Sequence, residues 1–269
     1  MLRVTNPSEP YIGLPPQDVF IASDETGMQH GSGYLLCFSA RELFPEQPMQ
    51  IYLHMEGGEE AYYLLFGALY ARALQMVREG DLPPARLYTQ LSPKDLPLLT
   101  FFSENGFMMD DAEDMVTLPI VPGMPAPLMT PEMSIAPVPL QTQQQQDEFL
   151  ARLNQHRISR LTSDNLISLM QFRRFVAIGL IREGRIVGEL LAAGNSSRSE
   201  LTMMYILPQM RCQGYGTILL KSAMSIFSQS EIYQMDALVL RRNKPLITFM
   251  KQMGAQLKKT MNIYPGMDL

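Results

Sequence analysis

Residues 205–220 read YILPQMRCQGYGTILL, and Arg211, Gly214 and Gly216 stand where a strand-like run gives way to a helix-like one. Two glycines at this spacing let the backbone turn tightly and bring its N–H groups close to a ligand. The N–H groups of a helix's first turn lack an internal partner, and the helix dipole adds positive potential there. A strand, a short loop and a helix in this order suit a phosphate or pyrophosphate. Arg211 adds a charged, two-pronged donor. The pattern is not a P-loop, which needs Gly-Lys-Ser/Thr, nor the dinucleotide G-x-G-x-x-G, because position 219 is Leu. The plainer reading is a helix start whose glycines serve close packing, and it stays open on these residues alone.

Other chemistry-bearing residues are sparse. His30, His54 and His156 lie far apart and in no metal-ligand spacing, so no metal is expected. Two cysteines, Cys37 and Cys212, exclude a disulfide scaffold or a cysteine-rich zinc site. Cys212 lies near a helix N-terminus, which favours thiolate, but no histidine is within local reach. Arg241, Arg242 and Lys244 form a basic cluster around Asn243 that is either a solvated loop or an anion contact.

The elements that must position the 211–216 loop are legible in outline. Among 269 residues, 46% are hydrophobic, enough to bury a sizeable core. Charged residues are 18% and the net charge is −5, which excludes a disordered tail protein and gives no basic stripe for nucleic acid. No apolar run approaches the ~20 residues of a membrane span. The start, MLRVTNPSEPYIG, does not have the make-up of a signal peptide. Pro119 to Pro139 holds seven prolines in 21 residues and reads as an extended linker or strap. The halves on either side look related. PLLTFFSENG (97–106) and PLITFMKQMG (245–254) match at five positions with a constant offset of 148. Each is preceded by a strand-like run, so the pattern predicts two copies of one domain rather than a solenoid. The first half predicts a hairpin within 18–39, a strand at 49–55, a helix over 59–79, a strand at 85–91, a helix over 94–105 and a strand at 114–120. The second predicts helices up to about 155 and over 164–172, then a hairpin turning at Glu183-Gly184. A strand at 201–207, the helix 214–228, a strand at 237–240, a helix over 245–253 and a strand at 257–263 follow.

With these elements in place, the sequence resembles the GCN5-related N-acetyltransferases (GNAT). Their acyl-CoA loop is written R/Q-x-x-G-x-G/A, and Arg211-Cys212-Gln213-Gly214-Tyr215-Gly216 fits its fixed positions. Ile206, Leu219, Leu220, Asn243 and Gly254 fall at the family's further spacings. The resemblance covers about 133–269 and implies the fold: α/β (α+β), with two GNAT-like domains, each a mixed, mostly antiparallel central sheet flanked by helices. It implies a degenerate GNAT-like domain at 1–120, a Pro-rich linker at 121–132 and a GNAT acetyltransferase domain at 133–269. By the 148 offset, Arg211, Gly214 and Gly216 face Tyr63, Phe66 and Ala68, so the first copy has no cradle residues. Two departures stand out: Gly254 is followed by Ala255 rather than Phe, and Met250 stands where many members carry a proton-donating Tyr.

The resemblance implies direct transfer of an acetyl group from acetyl-CoA to an amine, in a small molecule or a peptide. Ile206, Leu207 and Pro208 would lie along the pantetheine, and Arg211, Cys212, Gln213, Gly214, Tyr215, Gly216 and Thr217 around the pyrophosphate. Asn243 would contact the pantetheine or hold the strands apart. Tyr205, Glu189 and Glu200 are the catalytic candidates, with the α-carboxylate of Leu269 a further possible base. The plain alternative is solvated carboxylates and a packed tyrosine. The expected setting is cytoplasmic, without nucleic acid, membrane or metal, as a monomer or homodimer. An acyl-CoA-binding module without turnover, and a structural or interaction protein, remain as other readings.

Overall fold

A computed structural model describes every residue except 12, 42–43, 81–82 and 157–159. In chain order the elements are β1 (Arg3–Thr5), β2 (Val19–Ser23), β3 (Gln29–Ser39), β4 (Met49–Gly57), α1 (Glu59–Glu79), β5 (Ala85–Tyr88), α2 (Leu96–Glu104) and β6 (Ala112–Pro119). There follow β7 (Met133–Pro137), α3 (Gln143–Asn154), α4 (Ser163–Met170), β8 (Arg174–Arg182), β9 (Arg185–Asn195) and β10 (Arg198–Ile206). The chain closes with α5 (Tyr215–Ser228), β11 (Gln234–Leu240), α6 (Lys244–Gln252), β12 (Gln256–Ile263) and β13 (Gly266–Asp268). Two compact units result. Unit 1 is Met1–Glu113 with Thr260–Leu269, and unit 2 is Asp114–Lys259.

Unit 1 is built on a six-stranded sheet in the order β1-β2-β3-β4-β5-β13. All its neighbours are antiparallel except β4 and β5. Helix α1 carries Ala61, Leu65, Leu69 and Ala73 at four-residue spacing, one stripe of a helix, and all four are fully buried against Leu35, Ile51, Leu53 and Leu87. Unit 2 holds the sheet β12-β6-β11-β10-β9-β8-β7. One face packs on α5 through Leu219, Leu220, Ala223, Met224 and Phe227. The other packs on α3 and α4 through Phe149, Leu150, Leu153 and Leu166.

The duplication is visible in the helices. Both α2 and α6 have nine residues, begin with proline in the first turn, and are capped by the preceding side chain: Asp95 accepts from Leu98 N and Asn243 from Leu246 N. Both are followed by a glycine of positive φ, Gly106 and Gly254. Phe102 and Met250, equivalent at the 148 offset, are both core residues, 1% and 3% exposed.

The division of the chain differs from the one expected at 121–132. It falls at Glu113/Asp114 and again at Lys259/Thr260. Each sheet takes a strand from the opposite half of the sequence: β6 lies between β12 and β11, and β13 lies beside β5. Local patterning identifies a strand but not the partner that completes its hydrogen bonds. The stretch 121–132 runs within unit 2, where Gly123 N donates to Ser228 O at 3.2 Å and Ser225 Oγ to Met124 O at 2.9 Å. It leads into β7, an edge strand, where prolines are tolerated.

The C-terminal run, expected as a possible source of a basic carboxylate, is strand material of unit 1. Leu269 N donates to Ala85 O at 3.0 Å. Arg86, 2% exposed, fastens it. Its guanidinium donates to Asp110 Oδ2 at 2.9 Å and to Tyr264 O at 3.2 Å. A Cβ at Gly266 would lie 2.5 Å from that guanidinium, so a larger residue must push the Arg86 head off its partners. Gly266→Val should therefore destabilise the protein by about 1–3 kcal/mol. Thermal unfolding checks it, and an unchanged melting temperature would contradict this fastening.

Candidate functional site

In unit 2, β10 and β11 pair in parallel from Arg198↔Gln234 to Leu201↔Ala237, where their pairing ends. The ladder between β10 and β9 continues to Ile206↔Gly188, with a bulge between Leu201 and Met203. A bulge bends and twists the strand that carries it, which is the local cause of the parting. Residues 203–206 thus keep a strand partner on one side only, along about 13 Å of strand edge at the usual rise.

The loop after β10 is anchored at both ends. Leu207 N donates to Val187 O at 2.9 Å, and Arg211 Nε donates back to Ile206 O at 3.0 Å. Gly214 is the N-cap of α5 with φ +84°, a left-handed conformation that costs other residues about 1–2 kcal/mol. The first bond along the helix runs from Ile218 N to Gly214 O, so the N–H groups of Tyr215, Gly216 and Thr217 have no helical acceptor. The first turn of α5 holds no acidic residue. The Tyr215 ring is buried and its hydroxyl accepts from Arg182 Nη1 at 2.5 Å, fixing the start of α5 to β8. Tyr215 therefore offers this loop its backbone, not its side chain. A Cβ at Gly216 would meet the Phe249 ring at 3.5 Å, an ordinary contact, so that position accepts alanine. Cys212 and Gln213 are exposed, and Gln213 Nε2 donates to Gln209 O at 3.3 Å.

Two of the three catalytic candidates are brought together and the third is not. Glu189 on β9 and Tyr205 on β10 are a register pair. Glu189 is fully buried; it accepts from Tyr205 OH at 2.5 Å and from Arg152 Nε and Nη2 at 3.0 and 2.8 Å. Arg152 comes from α3, and sequence reading gave no reason to select it. The Tyr205 ring stacks on His156 with centroids 4.2 Å apart. Burial first, then the hydrogen bond and charge of Glu189, push the Tyr205 phenol well above its ordinary value, with Arg152 opposing. Glu200 pairs with Ala193, four residues along β9 from Glu189, and is exposed.

The remaining candidates have partners of their own. Asn243 Oδ1 accepts from Leu246 N at 3.1 Å as a helix cap. Arg241, expected in a basic cluster, grips Asp114 through Nε and Nη2 at 2.7 and 2.9 Å. Met250 is part of the core around α5.

Unit 1 keeps the opening and has no cradle. Its β4 and β5 pair in parallel only from Met49↔Ala85 to Tyr52↔Tyr88, while β4 continues to Gly57. There, however, Gly58 alone separates β4 from α1, and Glu59 and Glu60 occupy the first turn. Tyr63, Phe66 and Ala68 are interior residues of α1. The loop is missing rather than substituted, and the helix N-terminus is acidic, which repels an anion.

Truncating Arg152 would leave a fully buried carboxylate with only the Tyr205 hydroxyl. Breaking a buried pair this way costs roughly 3–5 kcal/mol, less for a partly exposed arginine, so Arg152→Ala should cost about 2–3 kcal/mol. Chemical denaturation measures this, and a cost below about 1 kcal/mol would contradict the pairing.

The model of the acetyltransferase (GNAT) family matches residues 142–255. No curated protein matches the sequence. A GCN5-related N-acetyltransferase from Sphaerobacter thermophilus is similar in structure at 13% identity, over 96% of this chain and 82% of its own, with a TM-score of 0.50. A conserved protein of unknown function from Enterococcus faecalis V583, described as a probable N-acyltransferase, is similar at 11% identity over 92% and 61%, with a TM-score of 0.56. A tandem GNAT protein from the clavulanic acid biosynthesis pathway matches at 14% identity over 93% and 82%, with a TM-score of 0.47. The parted strands, the glycine-capped helix and the family match converge on one statement: residues 142–255 carry a domain of the acetyltransferase (GNAT) family, whose general chemistry is acyl transfer, and the chain folds as two GNAT-like units.

Proposed function

We propose that this protein is an acetyl-CoA-dependent N-acetyltransferase whose working half is unit 2. The reading rests on the parting of β10 from β11 directly above a loop that offers backbone N–H donors and no acid in the helix's first turn. The backbone of Ile206, Leu207 and Pro208 would run beside the pantetheine. Residues 211–217 would hold the pyrophosphate, with Gly214 setting the turn. Asn243, through its cap on α6, would support the far wall of the opening.

Acetyl-CoA supplies an activated thioester. The amine nitrogen attacks its carbonyl carbon, the carbon–sulfur bond breaks, the nitrogen loses a proton to water, and the CoA thiolate takes one up. Backbone N–H groups on the open edge of 203–206 are the available donors to the oxyanion that forms between these events. Holding the two reactants in register supplies much of the rate. The thioether of Met250 is buried and has no proton to give, so the thiolate's proton comes from solvent. The acceptor is a primary amine of a small molecule or peptide. Among the described residues no helix is long and apolar enough to cross a membrane.

The test supplies acetyl-CoA with a panel of aralkylamines, polyamines and peptides, and follows free CoA thiol together with acetylated product by mass. Equal release of thiol and acetylated amine is the expected result. Gly214→Asp should abolish it by placing a carboxylate at the phosphates. Gly214→Asn, which tolerates the same backbone conformation without charge, should retain it. Tight acetyl-CoA binding with no product from any amine would instead favour a binding module without turnover.

A further inference from the structure

The network of Arg152, Glu189 and Tyr205 is the largest buried polar group in unit 2 that the transfer chemistry above leaves without a task. It spans three elements, α3, β9 and β10. Tyr205 lies four residues beyond Leu201, the last β10 residue paired with β11, and so sits beside the opening. A buried glutamate beside an acyl-transfer opening invites assignment as the base that deprotonates the amine, and the geometry opposes it. Both Glu189 oxygens are engaged, by three donors in all. The residue is 0% exposed and Tyr205, itself 6% exposed, packs on it, so an incoming amine has no direct approach to the carboxylate. Protonating Glu189 would also leave the Arg152 charge uncompensated at a buried contact.

We propose that Glu189 is a positioning residue for acyl transfer that acts through Tyr205: with its charge offset by Arg152, it fixes the phenol beside the β10–β11 opening and takes no proton from the amine. This rests on the acyl-transfer reading above. The phenol proton is committed to Glu189, and the ring is braced on its other side by His156. Among the described residues, the groups facing the phenol are Glu189 from β9 and Arg152 and His156 from α3 and its end. Burial and Glu189 together keep the phenol protonated through neutral pH. The acceptor therefore reacts as the free amine, having lost its ammonium proton to water. The nitrogen–carbon bond forms, the carbon–sulfur bond breaks, the acylated nitrogen gives its extra proton to water, and the thiolate is protonated by solvent.

Two measurements test this. The first is a double-mutant cycle on kcat with the fastest amine of the panel. Glu189→Gln and Tyr205→Phe should each lower kcat about tenfold to a hundredfold through misplacement, with KM for acetyl-CoA unchanged. The double variant should be no worse than the poorer single one. Losses that multiply would show Glu189 acting in its own right and overturn the proposal. The second is alkaline difference absorbance, clean here because the chain has 11 tyrosines and no tryptophan. Tyr205→Phe should remove one late-titrating tyrosine, and Glu189→Gln should bring one tyrosine to lower pH. An identical titration in Glu189→Gln and wild type would overturn the proposal even if the variants were inactive through misfolding. Wild type that binds acetyl-CoA but acetylates nothing would overturn the transfer reading and this one with it. Transfer with multiplying losses would overturn this one alone.

Discussion

From Met203 onward the backbone of β10 has no ladder to β11 for its outward N–H and C=O groups, and unit 2 is organised around that open edge. Backbone polar groups away from water need partners. A sheet interior with one strand edge open is therefore a place built for something that supplies them. The bulge after Leu201 turns the strand away. The bond from Arg211 to Ile206 O folds the following loop back onto the strand end, and Gly214 starts α5 in the one conformation that closes the loop. Each feature depends on the previous one. An opening without the loop has no hold on an anion, and a loop without the opening has nowhere to direct an acyl chain.

Unit 1 separates these requirements. It retains the strand order and the early end of the parallel pairing, but one residue connects its strand to its helix, and that helix begins with two glutamates. The fold survives without the cradle because its core is carried by the apolar stripe of α1. The strands completing the two sheets are drawn from opposite halves of the sequence, and unit 1 is encoded by two separate stretches that flank the continuous unit 2.

Most elements were legible because they carry local signals. The stripe of α1, the glycine stop after it, the hairpin at Glu183-Gly184 and the proline-led helices α2 and α6 are all short-range patterns. The loop at 211–216 was legible for the same reason, since its chemistry lies in contiguous residues. What could not be read was long-range pairing. A strand at 112–119 gives no sign that it will join β11, and three C-terminal residues give no sign that they will join β5. The site shows the same limit. Glu189 and Tyr205 were both singled out, and their contact depends on register. Arg152 sits in an ordinary amphipathic helix, and only the fold places its guanidinium on a buried carboxylate. Asn243 carries the opposite lesson: its helix-capping role was as local as its family position, and the structure displays the cap.

The most direct test of the account is calorimetric titration of the intact chain with acetyl-CoA. One molecule should bind per chain. Gly214→Asp should lose that binding and Gly214→Asn should keep it, because the two differ in charge at the cradle and not in backbone demand. Two molecules per chain, or equal binding by both variants, would contradict a single cradle formed where β10 leaves β11.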